Sequence, residues 1–188
     1  MVLVQRVSVV GNSGSGKSTF ARRLAARGGV PYVELDAIFH QPEWAELELD
    51  EFRRLVAAQV AERGWVIEGN YAAVQDLVWA RANTVVWLDF GRAIVMWRVV
   101  TRTVGRVLTR RDLWNGNREP WSNLFSTDPQ RSIIAWSWKE HARYRVRYRS
   151  ASEDPTLVHL RFVRLGSPRA ARRFLADRGE GDWTGVGK

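Results

Sequence analysis

Gly11-Asn12-Ser13-Gly14-Ser15-Gly16-Lys17-Ser18 decides how the chain is read. The spacing is G-x-x-x-x-G-K-S, and both flanks suit it. Ahead lies an apolar, β-branched run over residues 2–10; behind, from Thr19 to Arg27, comes a helix-like stretch. A strand, a glycine-rich turn and a helix form the context in which this spacing wraps phosphate groups. Gly11, Gly14 and Gly16 let the backbone curl until successive N–H groups converge on phosphate oxygens. The first turn of the following helix adds partial positive charge. Gly11, Asn12, Ser13, Gly14, Ser15, Gly16, Lys17, Ser18 and Thr19 are therefore expected to hold the phosphates of a nucleotide such as ATP. Lys17 supplies a full charge for the β- and γ-phosphates, and Ser18 offers a hydroxyl to Mg²⁺.

The composition narrows the partners. A length of 188 residues suits one domain with a sizeable core. The absence of cysteine excludes disulfides, thiolate metal sites and cysteine nucleophiles. No long uncharged apolar segment opens the chain, and arginines break the apolar stretches elsewhere. Neither a signal peptide nor a membrane span is expected, and a cytoplasmic location is. The net charge of +9 is confined to residues 92–149, which hold 13 Lys/Arg and 4 Asp/Glu; the remainder is neutral. Such a segment favours an anionic partner: nucleotide phosphates, a phosphorylated substrate or nucleic acid. Most of the 10 tryptophans stand at apolar positions and read as core.

The pattern alternates strand and helix. Residues 2–10 read as a buried strand, 17–27 as a helix stopped by Gly28-Gly29, and 31–35 as a short second strand. Residues 36–46 look irregular, with Pro42 as a breaker. Asp50 is the expected cap of a helix reaching Gly64. Strands at 65–68 and 84–89 flank a short helix at 73–81. Residues 92–108 read as a helix with apolar positions between Arg98, Arg102 and Arg106. Residues 110–128 read as a mobile insert, 131–149 as helix, and 156–163 as the fifth strand. Ser167 caps a last helix with Pro168 at its first position. The alternation predicts right-handed crossovers, a five-stranded parallel sheet and a three-layer α/β fold. Residues 1–179 are expected to form a single domain, with 92–149 as a helical, lid-like excursion and 180–188 as a flexible tail.

The phosphate loop, the five short strands and the arginine-rich excursion together resemble the small P-loop kinases, among them adenylate, shikimate and gluconate kinases. The stretches Val33-Glu34-Leu35-Asp36-Ala37-Ile38-Phe39, Trp65-Val66-Ile67-Glu68-Gly69-Asn70-Tyr71, Val86-Trp87-Leu88-Asp89-Phe90 and Leu113-Trp114-Asn115-Gly116-Asn117-Arg118-Glu119 look like adenylate-kinase-related proteins labelled DNA topology modulation proteins. The resemblance covers roughly residues 3–175 and implies the strand order 2-3-1-4-5. Strand three would then lie beside the loop strand, and its terminal Glu68 would organise Mg²⁺, through water, together with Ser18. Asp89, at the end of strand four, is the rival for that role, with helix capping as its structural alternative.

The same resemblance implies that Asp36, at the end of strand two, orients an acceptor hydroxyl or takes its proton, with capping of an irregular turn as its structural alternative; His40 is a candidate to assist it and Arg53 and Arg54 to reach an acceptor phosphate, against plain surface exposure. Adenylate kinases carry an arginine four residues after the strand-three acid. Here Ala72 stands there, which leaves the acceptor open and makes Asn70 and Tyr71 candidate contacts. Arg102, Arg106, Arg110, Arg111 and Arg118 are the candidates for stabilising the charge on a transferred phosphoryl group. Leu165-Gly166-Ser167-Pro168 is a candidate loop for the nucleotide base. The expected function is ATP- and Mg²⁺-dependent phosphoryl transfer to a small-molecule acceptor, a nucleotide being one such class. The alternative is a nucleotide-gated, nucleic-acid-binding P-loop NTPase. For that alternative, Arg143, Arg145, Arg147 and Arg149 with Tyr144 and Tyr148 mix charge and aromatic rings, although alternation by two scatters them around a helix.

Overall fold

The computed structural model describes residues 5–109, 114–117 and 132–177. The first strand, β1 (Arg6–Gly11), sends Val7 and Val9 to one side and Ser8 and Val10 to the other, and all four are buried. Helices cover both faces, which explains an apolar run instead of an alternating one. The elements that follow are α1 (Lys17–Gly28), β2 (Tyr32–Glu34), α2 (Leu35–Phe39), α3 (Leu49–Ala61), β3 (Trp65–Glu68), α4 (Ala72–Arg81), β4 (Thr84–Leu88), α5 (Arg92–Thr109), α6 (Ile133–Ser152), β5 (Arg161–Leu165) and α7 (Pro168–Asp177).

The strands form one parallel sheet in the order β2-β3-β1-β4-β5. Two cores flank it. On one face Val10, Ile67, Val85 and Trp87 pack with Phe52 and Val56 of α3, Val74 and Trp79 of α4 and Tyr148 of α6. On the other, Val7, Val9, Val66, Val86 and Leu88 pack with Phe20 and Leu24 of α1, Val95 and Val99 of α5 and Leu175 of α7. Helix α5 is held by one stripe: Val95, Val99 and Thr103, each four residues from the last, are buried, while Trp97 and Leu108 are exposed.

Parallel pairing brings the strand ends to one edge. Glu34 is in register with Glu68, and Gly11 with Leu88. This carboxyl-terminal crest is where an open α/β sheet offers a crevice for ligands.

The details depart from expectation in three places. Residues 36–46 are not wholly irregular, because Leu35–Phe39 forms a helical turn and Pro42–Trp44 a 3-10 turn. Helix α3 starts at Leu49, so Asp50 sits inside the first turn, favourable to the helix dipole but not its cap. The fifth strand lies later than 156–163. Asp154 accepts hydrogen bonds from the Thr156 N–H (2.8 Å) and hydroxyl (2.7 Å), and so winds Pro155–Leu157 into a 3-10 turn ahead of β5. The insert at 110–128 lies outside the described residues except for 114–117, as do the tail at 180–188 and the side chains of Arg110, Arg111 and Arg118. Among the described residues, no helix is long and apolar enough to cross a membrane.

Candidate active site

The phosphate loop leaves β1 at Gly11, whose φ is +146°. A Cβ there would lie 2.7 Å from the Leu88 carbonyl oxygen, so glycine is required on two counts. Gly14, at φ +80°, has a different reason. A Cβ at Gly14 would meet Val99 Cγ2 at 2.5 Å and the Val95 carbonyl oxygen at 2.7 Å, because α5 packs directly on the loop. Lys17 Nζ reaches back to the Asn12 carbonyl at 3.4 Å, across the concave side. Thr19 is exposed on α1.

Side chains from outside the loop hold its backbone. Arg98 Nη1 donates to the Ser15 carbonyl (3.3 Å), and the Arg98 guanidinium lies over the Phe90 ring. One turn on, Arg102 Nη2 donates to Ser13 Oγ (2.9 Å). From α6, the Ser137 carbonyl accepts from Asn12 Nδ2 (2.8 Å), and Ser137 Oγ donates to the Ser13 carbonyl (3.2 Å). Helices α5 and α6 thus grip the loop between them. Arg106 follows one turn beyond Arg102 on α5.

Ser18 Oγ donates to Glu68 Oε1 at 2.7 Å, so the loop hydroxyl and the strand-three acid meet as expected. Glu68 is buried, and its Oε2 has no hydrogen-bond partner among the described residues. Burial raises the Glu68 pKa, with the charge of Lys17 and the Ser18 hydrogen bond working against that rise. Tyr32 OH bridges Glu34 Oε2 (2.9 Å) and Glu68 Oε1 (3.3 Å), and burial beside those two acids pushes its own pKa up. A hydroxyl and a carboxylate with an unspent buried oxygen form a hard oxygen donor set, and it fits Mg²⁺.

Asp89 does something else. It is buried and receives Arg145 Nε at Oδ1 (2.7 Å) and Arg164 Nε and Nη2 at Oδ2 (2.8 and 2.5 Å). Both of its oxygens are engaged by guanidinium groups, whereas Glu68 keeps Oε2 without a hydrogen-bond partner among the described residues. At the start of α5 the Gly91 carbonyl accepts from the Val95 N–H (3.2 Å).

Beyond the end of β2, Asp36 Oδ1 accepts from Tyr71 OH at 2.7 Å, and the same hydroxyl lies 3.4 Å from His40 Nε2. Burial and the Asp36 charge push the Tyr71 pKa up, so Tyr71 stays protonated and donates. Tyr71 packs against Phe39 and Phe52. The His40 ring packs in a cluster with Trp44 and Trp114, at centroid distances of 5.4 and 5.9 Å, the two tryptophans lying 6.4 Å apart. Residues 114–117 fasten this turn: Asn115 Nδ2 donates to the His40 carbonyl (2.5 Å), Asn117 Nδ2 to the Gln41 carbonyl (2.8 Å), and Asn117 Oδ1 accepts from the Trp44 N–H (2.8 Å). Glu43, Trp44 and Asn115 all have φ between 54° and 59°, and they are the described non-glycine residues with left-handed backbone.

Other expected contacts fall elsewhere. Arg53 is bound to both Asp76 oxygens and to the Ala73 carbonyl, and Arg54 to Glu51. Asn70 does not face the acceptor turn; its amide is spent on Gly11, to which it both donates and accepts. In the 165–168 loop, Ser167 Oγ caps α7 by accepting from the Ala170 N–H (3.1 Å). Arg98 was missed as a site residue, although it precedes Arg102 by four residues and so shares its helical face.

No family model and no curated protein matches the chain. Among solved structures it is similar to a gluconokinase from Sinorhizobium meliloti 1021, at 20% identity over 94% of each chain, with a TM-score of 0.49.

Proposed function

We propose that the chain is an ATP- and Mg²⁺-dependent phosphotransferase that moves the γ-phosphate of ATP to a hydroxyl of a small-molecule acceptor. One observation carries the reading: the Ser18–Glu68 pair at the foot of the loop sits on the same sheet crest as the Asp36–Tyr71 pair. The first suits a metal-bound triphosphate and the second an acceptor hydroxyl. A bare NTPase needs no second pair.

In this reading the loop N–H groups and Lys17 bind the triphosphate, and Ser18 and Glu68 hold Mg²⁺, Glu68 through water. When bound, Mg²⁺ neutralises charge on the phosphate oxygens. Asp36, with one oxygen fixed by Tyr71, orients the acceptor hydroxyl and takes its proton. The acceptor oxygen forms a bond to the γ-phosphorus as the bond from that phosphorus to the β–γ bridging oxygen breaks, and ADP leaves. Arg98 and Arg102, already at the loop, compensate the charge spread over the transferred group; Arg106, Arg110, Arg111 and Arg118 extend the same basic excursion. Residues 1–179 act as one kinase domain.

Of the arginines considered for an acceptor phosphate, Arg53 and Arg54 each face a surface carboxylate, Asp76 and Glu51. The nucleic-acid reading loses support on α6. There Arg143, Arg145 and Arg147 are tied to Glu140, Asp89 and Gln75, and Tyr144 and Tyr148 are buried, so that those two rings offer no stacking face of the kind single strands use.

The test is a panel of polyols, sugars, nucleosides and nucleoside monophosphates with labelled ATP and Mg²⁺. Transfer of label to one class supports the reading. DNA-stimulated hydrolysis with no labelled acceptor sinks it.

A further inference from the structure

Strand β3 stops one rung short of the loop. Its last ladder contact to β1 is the Gly69 N–H donating to the Val9 carbonyl (3.3 Å), and Gly11 lies beyond it. At that point the Asn70 side chain takes the place of a strand. Asn70 Nδ2 donates to the Gly11 carbonyl (2.7 Å), and Asn70 Oδ1 accepts from the Gly11 N–H (3.2 Å). A side-chain amide has the donor and acceptor of a peptide group, so it completes the missing rung with both bonds. Tyr148 OH, reaching in from α6, donates to the same Oδ1 at 2.9 Å. Tyr148 is buried, and burial pushes its pKa up, so the hydroxyl stays a donor.

We infer that Asn70 and Tyr148 are positioning residues for nucleotide binding: they fix the Gly11 peptide and thereby aim the N–H groups that follow it at the phosphates. Neither touches the nucleotide. Gly11 is the hinge at which the chain leaves the sheet for the loop, and a rotated Gly11 peptide would turn the loop's first N–H groups away from a common centre. Tyr148 fixes which way the amide faces, since only an oxygen accepts its proton. The α6 helix, which returns the chain from the basic excursion, thus reaches the loop through Asn70 as well as through Ser137.

The inference rests on the nucleotide-binding half of the proposed function and not on the identity of the acceptor. The measurement is calorimetric titration of the full chain with MgADP, for wild type, Asn70→Ala, Asn70→Asp, Tyr148→Phe and Asn70→Ala/Tyr148→Phe. Val56→Ala, a buried change on α3 away from the loop, controls for general loosening. Asn70→Ala is expected to weaken MgADP about tenfold, since both part-buried hydrogen bonds to Gly11 go. Asn70→Asp keeps the volume but loses the donor, and is expected to weaken it comparably. Tyr148→Phe should cost about threefold in wild type and nothing further in the Asn70→Ala background, because Tyr148 acts through Asn70. Val56→Ala should lower the melting temperature and leave MgADP affinity intact.

Wild-type affinity in Asn70→Asp, or additive losses in the double variant, overturns the inference. An Asn70→Ala that fails to fold leaves Tyr148→Phe and Asn70→Asp to decide. Wild-type protein that does not bind MgADP sinks the functional reading itself, a separate outcome.

Discussion

The two halves of the crest are built by opposite means. The proposed donor half is a loop of glycines and small polar residues whose backbone is bonded at Gly11, Ser13 and Ser15 by the side chains of Asn70, Ser137 and Arg98, and whose Asn12 and Ser13 side chains meet the Ser137 carbonyl and Arg102. The proposed acceptor half is a turn carrying His40 and Trp44, bonded by Asn115 and Asn117 from one short piece of the excursion, with Tyr71 beside it. If the chain acts as proposed, the triphosphate is a common ligand whose site can be made of backbone N–H groups that any sequence supplies, whereas an acceptor is particular and its site must be written in side chains.

The contrast can be broken at its strong end first. Lys17→Ala is expected to cut turnover by about a hundred- to a thousandfold, measured as kcat in the acceptor assay, while acceptor affinity stays put. Equal losses for donor and acceptor binding would mean that the halves are not separable.

Glu68→Gln is expected to lower Mg²⁺ affinity by about ten- to a hundredfold. It should also change stability with a definite sign. Burial raises the Glu68 pKa, so the folded protein holds that proton more tightly than the unfolded chain does. The nucleotide-free protein therefore loses stability as pH rises from the ordinary glutamate range, about 4.3, through the raised value. A glutamine side chain has no charge to bury, so the variant should melt higher than wild type above that window and alike below it. Melting curves across pH, without nucleotide, decide it.

Gly14→Ala probes the approach of α5. The motif leaves this position free, yet the space for a methyl group is taken by Val99 and the Val95 carbonyl. A destabilisation of about 2 kcal/mol is expected from overpacking alone, with nucleotide affinity falling alongside. Denaturant unfolding measures the first and titration the second.

Asn117→Ala tests the acceptor half: a cost of about 1 kcal/mol in stability, a raised KM for the acceptor, and an unchanged KM for ATP. At the small end, Arg53→Ala should leave both KM values and the melting temperature where they are, because Arg53 faces Asp76 on an exposed surface. A raised acceptor KM in that variant would return Arg53 to the site.

Legibility followed the same division. Residues 11–18 could be read because the motif is local and its chemistry depends on backbone shape. The strand order followed from resemblance, and helices such as 92–109 from their periodicity. The roles of Asn70 and Arg98 were hidden, since an asparagine after a strand and an arginine on a basic helix face acquire meaning only from what lies opposite. Asp89 misled for a related reason. An acid at a strand end looks like a metal organiser until Arg145 and Arg164, 56 and 75 residues away in sequence, are seen to occupy it. The 114–117 clamp was not legible as a clamp, because its left-handed turn is stabilised by a partner distant in the chain.

Asp89 also bears on how such proteins diverge. The chain departs on the excursion three residues after Asp89, and Arg145 lies on the helix that brings it back. A single buried carboxylate therefore staples the exit to the return, with Arg164 of β5 as the third member. Once the ends of a segment are fixed to each other, doubling its length costs only about 0.6 kcal/mol in closure entropy. The connection between α5 and α6 is in that sense exchangeable: its length can change at little cost to the sheet, so long as the buried faces of the two helices stay packed and those three residues keep the ends tied.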